Sequence, residues 1–335
     1  MALATIAGCA GFGAVSGSSL ATAATMGLIG LPEMRKRGYS TALASGAVAA
    51  GGTLGSLTPP SGALIVFGII AEQSIGKLFT AAIIPALTQT LLYMATIVIV
   101  CRLRPSIAPP SARMSWAERR AAIFRVLDLA ALVICVLTGI AVGWFTPTEA
   151  ASVGSLLALV LCAIRKRLSW RSLGEALAQT LKTTGMLYLV IIGALIFAVF
   201  MSFTGLAEQV SGLVQGMHGS PMMAIVVITV LLLLLGSVLD GLALMLLTTP
   251  ILLPIVTNLG FSPIWFGIFL VRTMEIGFIH PPIGINLYVI QSIAPDIPLS
   301  RVFKGVLPFL AADFVHLALI IAIPALTLAL PAWLS

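Results

Sequence analysis

Charge is what this 335-residue chain most lacks. Only 9% of its residues are charged, against 59% hydrophobic, and the mean hydropathy is +1.13. A soluble domain carries about 25% charged residues, so the composition excludes one and indicates a helical integral membrane protein seated in a lipid bilayer. Acidic residues are the scarcer sign, 11 against 18 Lys and Arg. The net charge of +7 still argues for no nucleic-acid partner, because the basic residues stand in short clusters between apolar runs. Cysteine is sparse: Cys9, Cys101, Cys135 and Cys162 are isolated in or beside apolar runs. No spacing among them suggests a metal centre or a disulfide framework, which leaves small buried residues. With 3 histidines in all, no His/Cys cluster points to a transition metal.

What the chain has is apolar length, glycine and proline. Runs such as Leu78–Val100, Leu127–Gly143, Ala150–Ile164 and Gly305–Ala332 are about long enough to span a bilayer. Two Gly- and Pro-rich interruptions fall inside such runs: GGTLGSLTPPSG at Gly51–Gly62 and MEIGFIHPPIGIN at Met274–Asn286. Pro59-Pro60 and Pro281-Pro282 remove amide donors and clash with the preceding turn, so a helix must break at each. In hydrocarbon, broken backbone survives only where protein buries it or a polar cavity receives it. The two breaks belong to a repeat. Pro32, Gly38, Gly55, Pro59, Pro60 and Gly62 recur as Pro254, Gly260, Gly277, Pro281, Pro282 and Gly284, always 222 positions on. After a one-residue slip Pro85 matches Pro308; backwards, Ser18 falls on Asp240 and Met26 on Thr248. A constant offset without gaps marks an internal repeat, and paired breaks in corresponding places point to a transporter's binding site.

In chain order, residues 1–34 read as a helical hairpin whose arms of roughly 15 residues are too short to cross ~30 Å, hence re-entrant, with a small polar tip at Ser16–Ser19. Residues 41–71 form a broken span and 78–100 a span. Residues 101–125 form a basic, Pro-rich linker. Spans follow at about 126–143 and 149–164, turned at Thr146-Pro147-Thr148. In 165–182, Trp170, Leu173, Leu177 and Leu181 share a face of an interfacial amphipathic helix. A span at 183–203 and a surface segment Gly205–Gly219 come next. A second hairpin covers 222–256, a second broken span 262–293 and a last span 305–332. Three parts result: a first repeat at 1–102, a linker with scaffold spans at 103–204, and a second repeat at 205–335. Sixteen of the 18 Lys and Arg lie in the clusters at 35–37, 102–125, 165–182 and 301–304, all on one side by this count of spans. The positive-inside rule makes that side cytoplasmic. The first hairpin then opens from the cytoplasm and the second from the opposite face, so the repeats are inverted.

Each half brings a hairpin tip beside a broken span. The candidate substrate-binding residues are Ser16, Ser18, Ser19 and Thr22 in the first half and Asp240 and Asn286 in the second. Unwound carbonyls and hydroxyls suit Na⁺, and half-helix N-termini suit an anion. Each Ser or Thr, taken alone, has a plainer reading as a donor to its own i−4 carbonyl. Asp240, Arg272 and Glu275 are costly in hydrocarbon and must face protein or a cavity. Arg272 and Glu275, three apart on a helix, are placed to pair; a direct transport role is the other reading. Asp313 and His316 have the same spacing. His280, at the second break, reads as a hydrogen-bonded structural histidine before a titrating one.

The motifs GAVSGSSLATAATMGLIGLPEMRKRGY, AAGGTLGSLTPPSG, LDGLALMLLTTPILLP and FSPIWFGIFLVRTMEIGFIHPPIGINLYVIQSIAPDIPLSRVFKGVLPF resemble the large membrane (permease) subunit of tripartite ATP-independent periplasmic (TRAP) transporters. The likeness covers nearly the whole chain outside the basic linker. It implies a Na⁺-coupled symporter of the elevator type in the bacterial inner membrane, with no cofactor beyond the coupling ion. It also implies a small membrane partner subunit and a periplasmic substrate-binding protein that delivers an organic acid, a dicarboxylate, a sialic acid or similar. In that family Na⁺ sits between each hairpin tip and the neighbouring break. Carried onto matching positions, one ion site involves Ser18, Gly52, Thr53, Gly55 and Pro59, and the other Thr248, Met274, Gly277 and Pro281. Arg272 departs from the pattern, where an uncharged residue is expected, and so does His280, where a small or hydroxylated one is.

Other readings explain less. An intramembrane serine hydrolase has SGSS as a nucleophile but no histidine placed to serve it: His218 lies in an outer loop and His280 in the other half. A channel needs a continuous pore rather than two cavity-forming hairpins. A Na⁺–carboxylate carrier working without a binding protein shares the inverted plan and is separated by what is encoded beside it. The repeat also sets an expectation for the N-terminus. Counterparts of the spans at 126–203 fall at about −96 to −19, so roughly 100 residues with three spans and an arm helix are expected upstream of Met1.

Overall fold

A computed structural model describes residues 1–109, 116–205 and 221–334. The expected surface segment, with His218, falls outside these from residue 206 on, as does the linker's 110–115. Among the described residues the chain is all-helical, without strand, and it divides into two compact units: residues 1–112 with 217–335, and residues 113–216.

In the first unit, α1 (Ala2–Ser16) and α2 (Ser19–Lys36) form an antiparallel pair, with Gly8 against Met26 and Gly30 against Thr5. Gly17 makes the turn: at φ +60° it caps α1 in the left-handed region, and its N–H donates to the Gly13 carbonyl at 2.8 Å. Next come α3 (Thr41–Leu57) and α4 (Gly62–Ile70), bent by 40° at the Pro pair, and then α5 (Ile75–Leu103). Ser61 restarts the helix after the break; its hydroxyl accepts from the Leu64 N–H and donates to the Ser56 carbonyl.

The second half repeats the order. α9 (Pro221–Gly236) and α10 (Gly241–Asn258) form the second pair, α11 (Pro263–Gly277) and α12 (Ile285–Ile293) the second broken helix, and α13 (Leu299–Ala322) with α14 (Ala325–Leu334) the end. Pro59-Pro60 and Pro281-Pro282 are both cis. α3 is buried from Leu43 to Leu57 and α11 from Ile264 to Gly277, so the two broken helices are the core and the pairs pack around them. Small residues permit this. A Cβ on Gly46 would strike the backbone of Gly305, and one on Gly305 the backbone of Ala42, so α3 and α13 touch backbone to backbone. On α11 the larger side chains fill the space instead: Trp265 stacks between Phe261 and Phe269 and donates its indole N–H to the Ile320 carbonyl at 3.1 Å.

The second unit holds α6 (Trp116–Ala141), α7 (Pro147–Ile164) and α8 (Trp170–Thr204). A capping box opens α7. The Thr146 hydroxyl accepts from the Glu149 N–H at 3.3 Å, and the Glu149 carboxylate accepts from the Thr146 N–H at 2.8 Å. Arg165 pairs with Asp128 across α6 and α7.

Five helices among the described residues are long and apolar enough to cross a membrane: α5, α7, α8 over Trp170–Phe197, α10 and α13. The bent pair α3–α4 makes a sixth if counted as one span. The protein is a multi-pass membrane protein. Three expected elements differ. Helix begins at Trp116, inside the segment expected to be linker. From Trp170 the expected amphipathic stretch and the span at 183–203 run on as one helix of 35 residues, α8, because no Gly, Pro or cap interrupts Leu181-Lys182-Thr183. The last span is two helices: Pro324 lacks the N–H to continue α13, and Ile323 before it leaves the helical region at φ −127°.

Candidate functional site

The first candidate cleft lies where the tip of the α1–α2 pair meets the end of α3. Ser18 caps α2, accepting from the Ala21 N–H at 3.4 Å. Its carbonyl accepts from the Thr22 hydroxyl at 2.8 Å, and Thr22 Oγ1 lies 2.9 Å from Ser16 Oγ. Ser19, buried, donates to the Thr53 carbonyl at 3.0 Å and lies 2.6 Å from Ser56 Oγ. Gly55 is what allows the approach. A Cβ there would stand 2.5 Å from both the Ser18 carbonyl oxygen and Thr22 Oγ1. Gly52 is likewise pressed on Ala23. The tip also reaches past the break, since the Gly62 N–H donates to the Gly17 carbonyl at 3.2 Å. So Ser16, Ser18, Ser19, Thr22, Gly52, Thr53 and Gly55 converge, with Pro59 buried at the break beside them.

The second cleft follows the same plan with different side chains. Asp240, at the position of Ser18, caps α10 by accepting from the Leu242 N–H at 3.0 Å. Gly277, at the position of Gly55, abuts the Gly236 backbone too closely for a Cβ. Gly241 lies against Met274, as Ser19 lies against Thr53 and Ser56. Three expected members are not drawn in by hydrogen bonds. The Thr248 hydroxyl donates to the Leu244 carbonyl at 2.8 Å, its own helix's i−4 group. Pro281 is exposed. Asn286 is buried but turns to the first repeat, its Nδ2 donating to the Ala49 carbonyl at 3.2 Å.

Several residues that shape the site were not singled out from sequence. Gly17 and Ser61 sit on the break-spanning contacts, and Ser56 and Tyr93 meet the buried hydroxyls. The signal for Gly17 was present as the glycine after an apolar helix and before a Ser cap; Tyr93 left none, since its partners come from other helices. Arg272 pairs with Glu275 at 2.5 Å, as their spacing suggested. Asp313 and His316 do not pair. Asp313 accepts from Arg272 at 2.8 Å, and His316 Nε2 lies 2.8 Å from Thr88 Oγ1. His280 stacks edge-on against Phe314. At the far end of α2, Arg35 grips Asp296 with both guanidinium nitrogens, at 2.5 and 3.2 Å. This hydrogen-bonded cation holds the Asp296 carboxyl below its ordinary value.

The family described as the tripartite ATP-independent periplasmic transporter, DctM component, matches residues 1–326. The chain belongs to that family. It is 36% identical, over its whole length and 78% of the relative's, to the C4-dicarboxylate TRAP transporter large permease protein DctM of Pseudomonas aeruginosa. It is 34% identical to the sialic acid TRAP transporter large permease protein SiaM of Vibrio cholerae, over 96% of this chain and 74% of that one. It is 31% identical to the 2,3-diketo-L-gulonate TRAP transporter large permease protein YiaN of Escherichia coli, over 96% and 75% respectively. The two clefts, the Pro pairs and the buried helices α3 and α11 all lie inside the part matched to the TRAP permease family.

Proposed function

We propose that this TRAP permease imports an organic acid across the bacterial inner membrane by Na⁺ symport, working with a small membrane subunit and a periplasmic binding protein. The observation that carries the reading is the recurrence of one plan: a helix pair whose second helix is capped at its start, by Ser18 or Asp240, and whose turn region abuts a glycine of a broken helix, Gly55 against Ser18 and Gly277 against Gly236. In each cleft Na⁺ is held by carbonyls and hydroxyls at the tip and break: Ser18, Gly52, Thr53, Gly55 and Pro59 in one, Thr248, Met274, Gly277 and Pro281 in the other. Hydroxyl and carbonyl oxygens match a hard monovalent cation. The substrate carboxylate is received by the amide-rich starts of α2 and α10 with Ser16, Ser19, Thr22, Asp240 and Asn286 around it. Bound cations offset the carboxylate's charge, so neither is carried well alone. The three relatives are named for organic acids, which supports that substrate class.

The helix pairs act as re-entrant hairpins, and residues 1–102 with 205–335 move as an elevator against residues 103–204. The core of buried broken helices suits a body that moves as one piece. In proteoliposomes holding the permease and both partners, uptake is expected to require an inward Na⁺ gradient. Uptake driven equally well by a proton gradient in Na⁺-free buffer would overturn the reading.

A further inference from the structure

Arg272 lies two positions before Met274, fully buried in α11, and its guanidinium forks. Nη1 donates to Glu275 Oε2 at 2.5 Å on its own helix, and Nη2 donates to Asp313 Oδ1 at 2.8 Å on α13. The same Asp313 oxygen accepts from the Tyr93 hydroxyl at 2.7 Å and from the Gln89 amide, both on α5. Tyr93 Oη lies 3.1 Å from Thr53 Oγ1 on α3, and the Thr53 carbonyl accepts from Ser19 at the tip of the first pair. None of these residues is more than 2% exposed. They form an unbroken polar strut through an apolar core, from the tip of one repeat to the broken helix of the other. Glu275 stands 222 positions after Thr53, so the strut joins repeat counterparts.

Buried ion pairs are weak sources of stability, since apolar residues of equal volume often serve as well or better. A directional network does fix register, because each donor has one place to point. We propose that Arg272 is a positioning residue which, through Asp313 and Tyr93, holds the second break in register with the tip of the first pair. On the reading that both clefts bind Na⁺, which this proposal adopts, loading one cleft then tightens the other.

The mildest test is Tyr93→Phe. It removes one hydroxyl and keeps the ring, which packs edge-on against Phe309. Two measurements on the complex with both partners decide the matter. Amide hydrogen exchange is expected to quicken at residues 17–22 and 277–285 together, though Tyr93 is on neither segment, and to do so more strongly in Arg272→Met. Exchange that quickens only in α5 and α13 overturns the proposal. The Na⁺ concentration for half-maximal uptake is expected to rise about fivefold, the size of one lost buried hydrogen bond, with the maximal rate nearly unchanged. A lower maximal rate at unchanged Na⁺ half-saturation also overturns it, marking a role in folding alone. Should Arg272→Met not insert, Tyr93→Phe decides alone. Should wild-type uptake ignore Na⁺, the symport reading fails, and the exchange result still decides whether Arg272 positions the breaks.

Discussion

At the residue scale, the clefts depend on two missing side chains. A methyl group on Gly55 meets the Ser18 carbonyl, and one on Gly277 meets the Gly236 backbone, so neither obstacle can swing aside. Gly55→Ala and Gly277→Ala are each expected to cost about 1–3 kcal/mol and to abolish uptake, read by melting and by transport. Gly11→Ala is the control, because nothing lies within 4 Å of the added carbon; it should be neutral or slightly stabilising. Arg35–Asp296 gives a pH signature. The Asp296 carboxyl is shifted down, so its contribution is full above the unfolded carboxylate pKa of about 3.9 and fades as pH falls through the lower folded value. Asp296→Asn should therefore melt slightly below wild type near neutrality, and the gap should close in acid. A gap that widens in acid would refute the sign. The residue-level reading of sequence did best where partners are local. The spacing of Arg272 and Glu275 disclosed their pairing. The same spacing of Asp313 and His316 led nowhere, because the partners of Asp313 lie 41, 220 and 224 positions away on other helices, out of reach of any local pattern.

At the element scale, the sequence disclosed what proline and glycine dictate. Both helix breaks, both paired helices and the 222-residue offset follow from residues that cannot continue or crowd a helix. Two other boundaries were misjudged. α8 runs unbroken where an apolar span follows an amphipathic stretch, since a change of polarity does not interrupt backbone hydrogen bonds. The break at Pro324 was passed over because apolar residues continue on both sides. Nor did the sequence show which helices meet through glycine. Gly46 and Gly305 bring α3 and α13 into backbone contact, joining the first broken helix to the last long span. Gly46→Ala and Gly305→Ala should each lower the melting temperature by forcing this pair apart. Both act on one contact, so the double variant should lose less than the sum of the two. Full additivity would show that the helices yield independently.

At the scale of the whole molecule, the repeat and the charge pattern make a claim about direction. Sixteen of the 18 Lys and Arg fall in four clusters assigned to one side. The first helix pair ends among them, at Lys36; the second ends at Asn258, in a segment without basic residues. If the repeats are inverted, these corresponding ends lie on opposite faces of the membrane. Both residues are exposed and can report. In a chain with Cys9, Cys101, Cys135 and Cys162 replaced, Lys36→Cys should react with an impermeant maleimide only after the membrane is opened, and Asn258→Cys in intact spheroplasts. The cysteine-free background must still transport for the result to count. Inversion matters to mechanism because two copies of one fold, facing opposite ways, can exchange conformations at equal energy, and that exchange opens a shared site first to one side and then to the other. Labelling of both positions from the same face would make the repeats parallel, and a parallel pair offers no such exchange, so alternating access would need a different origin.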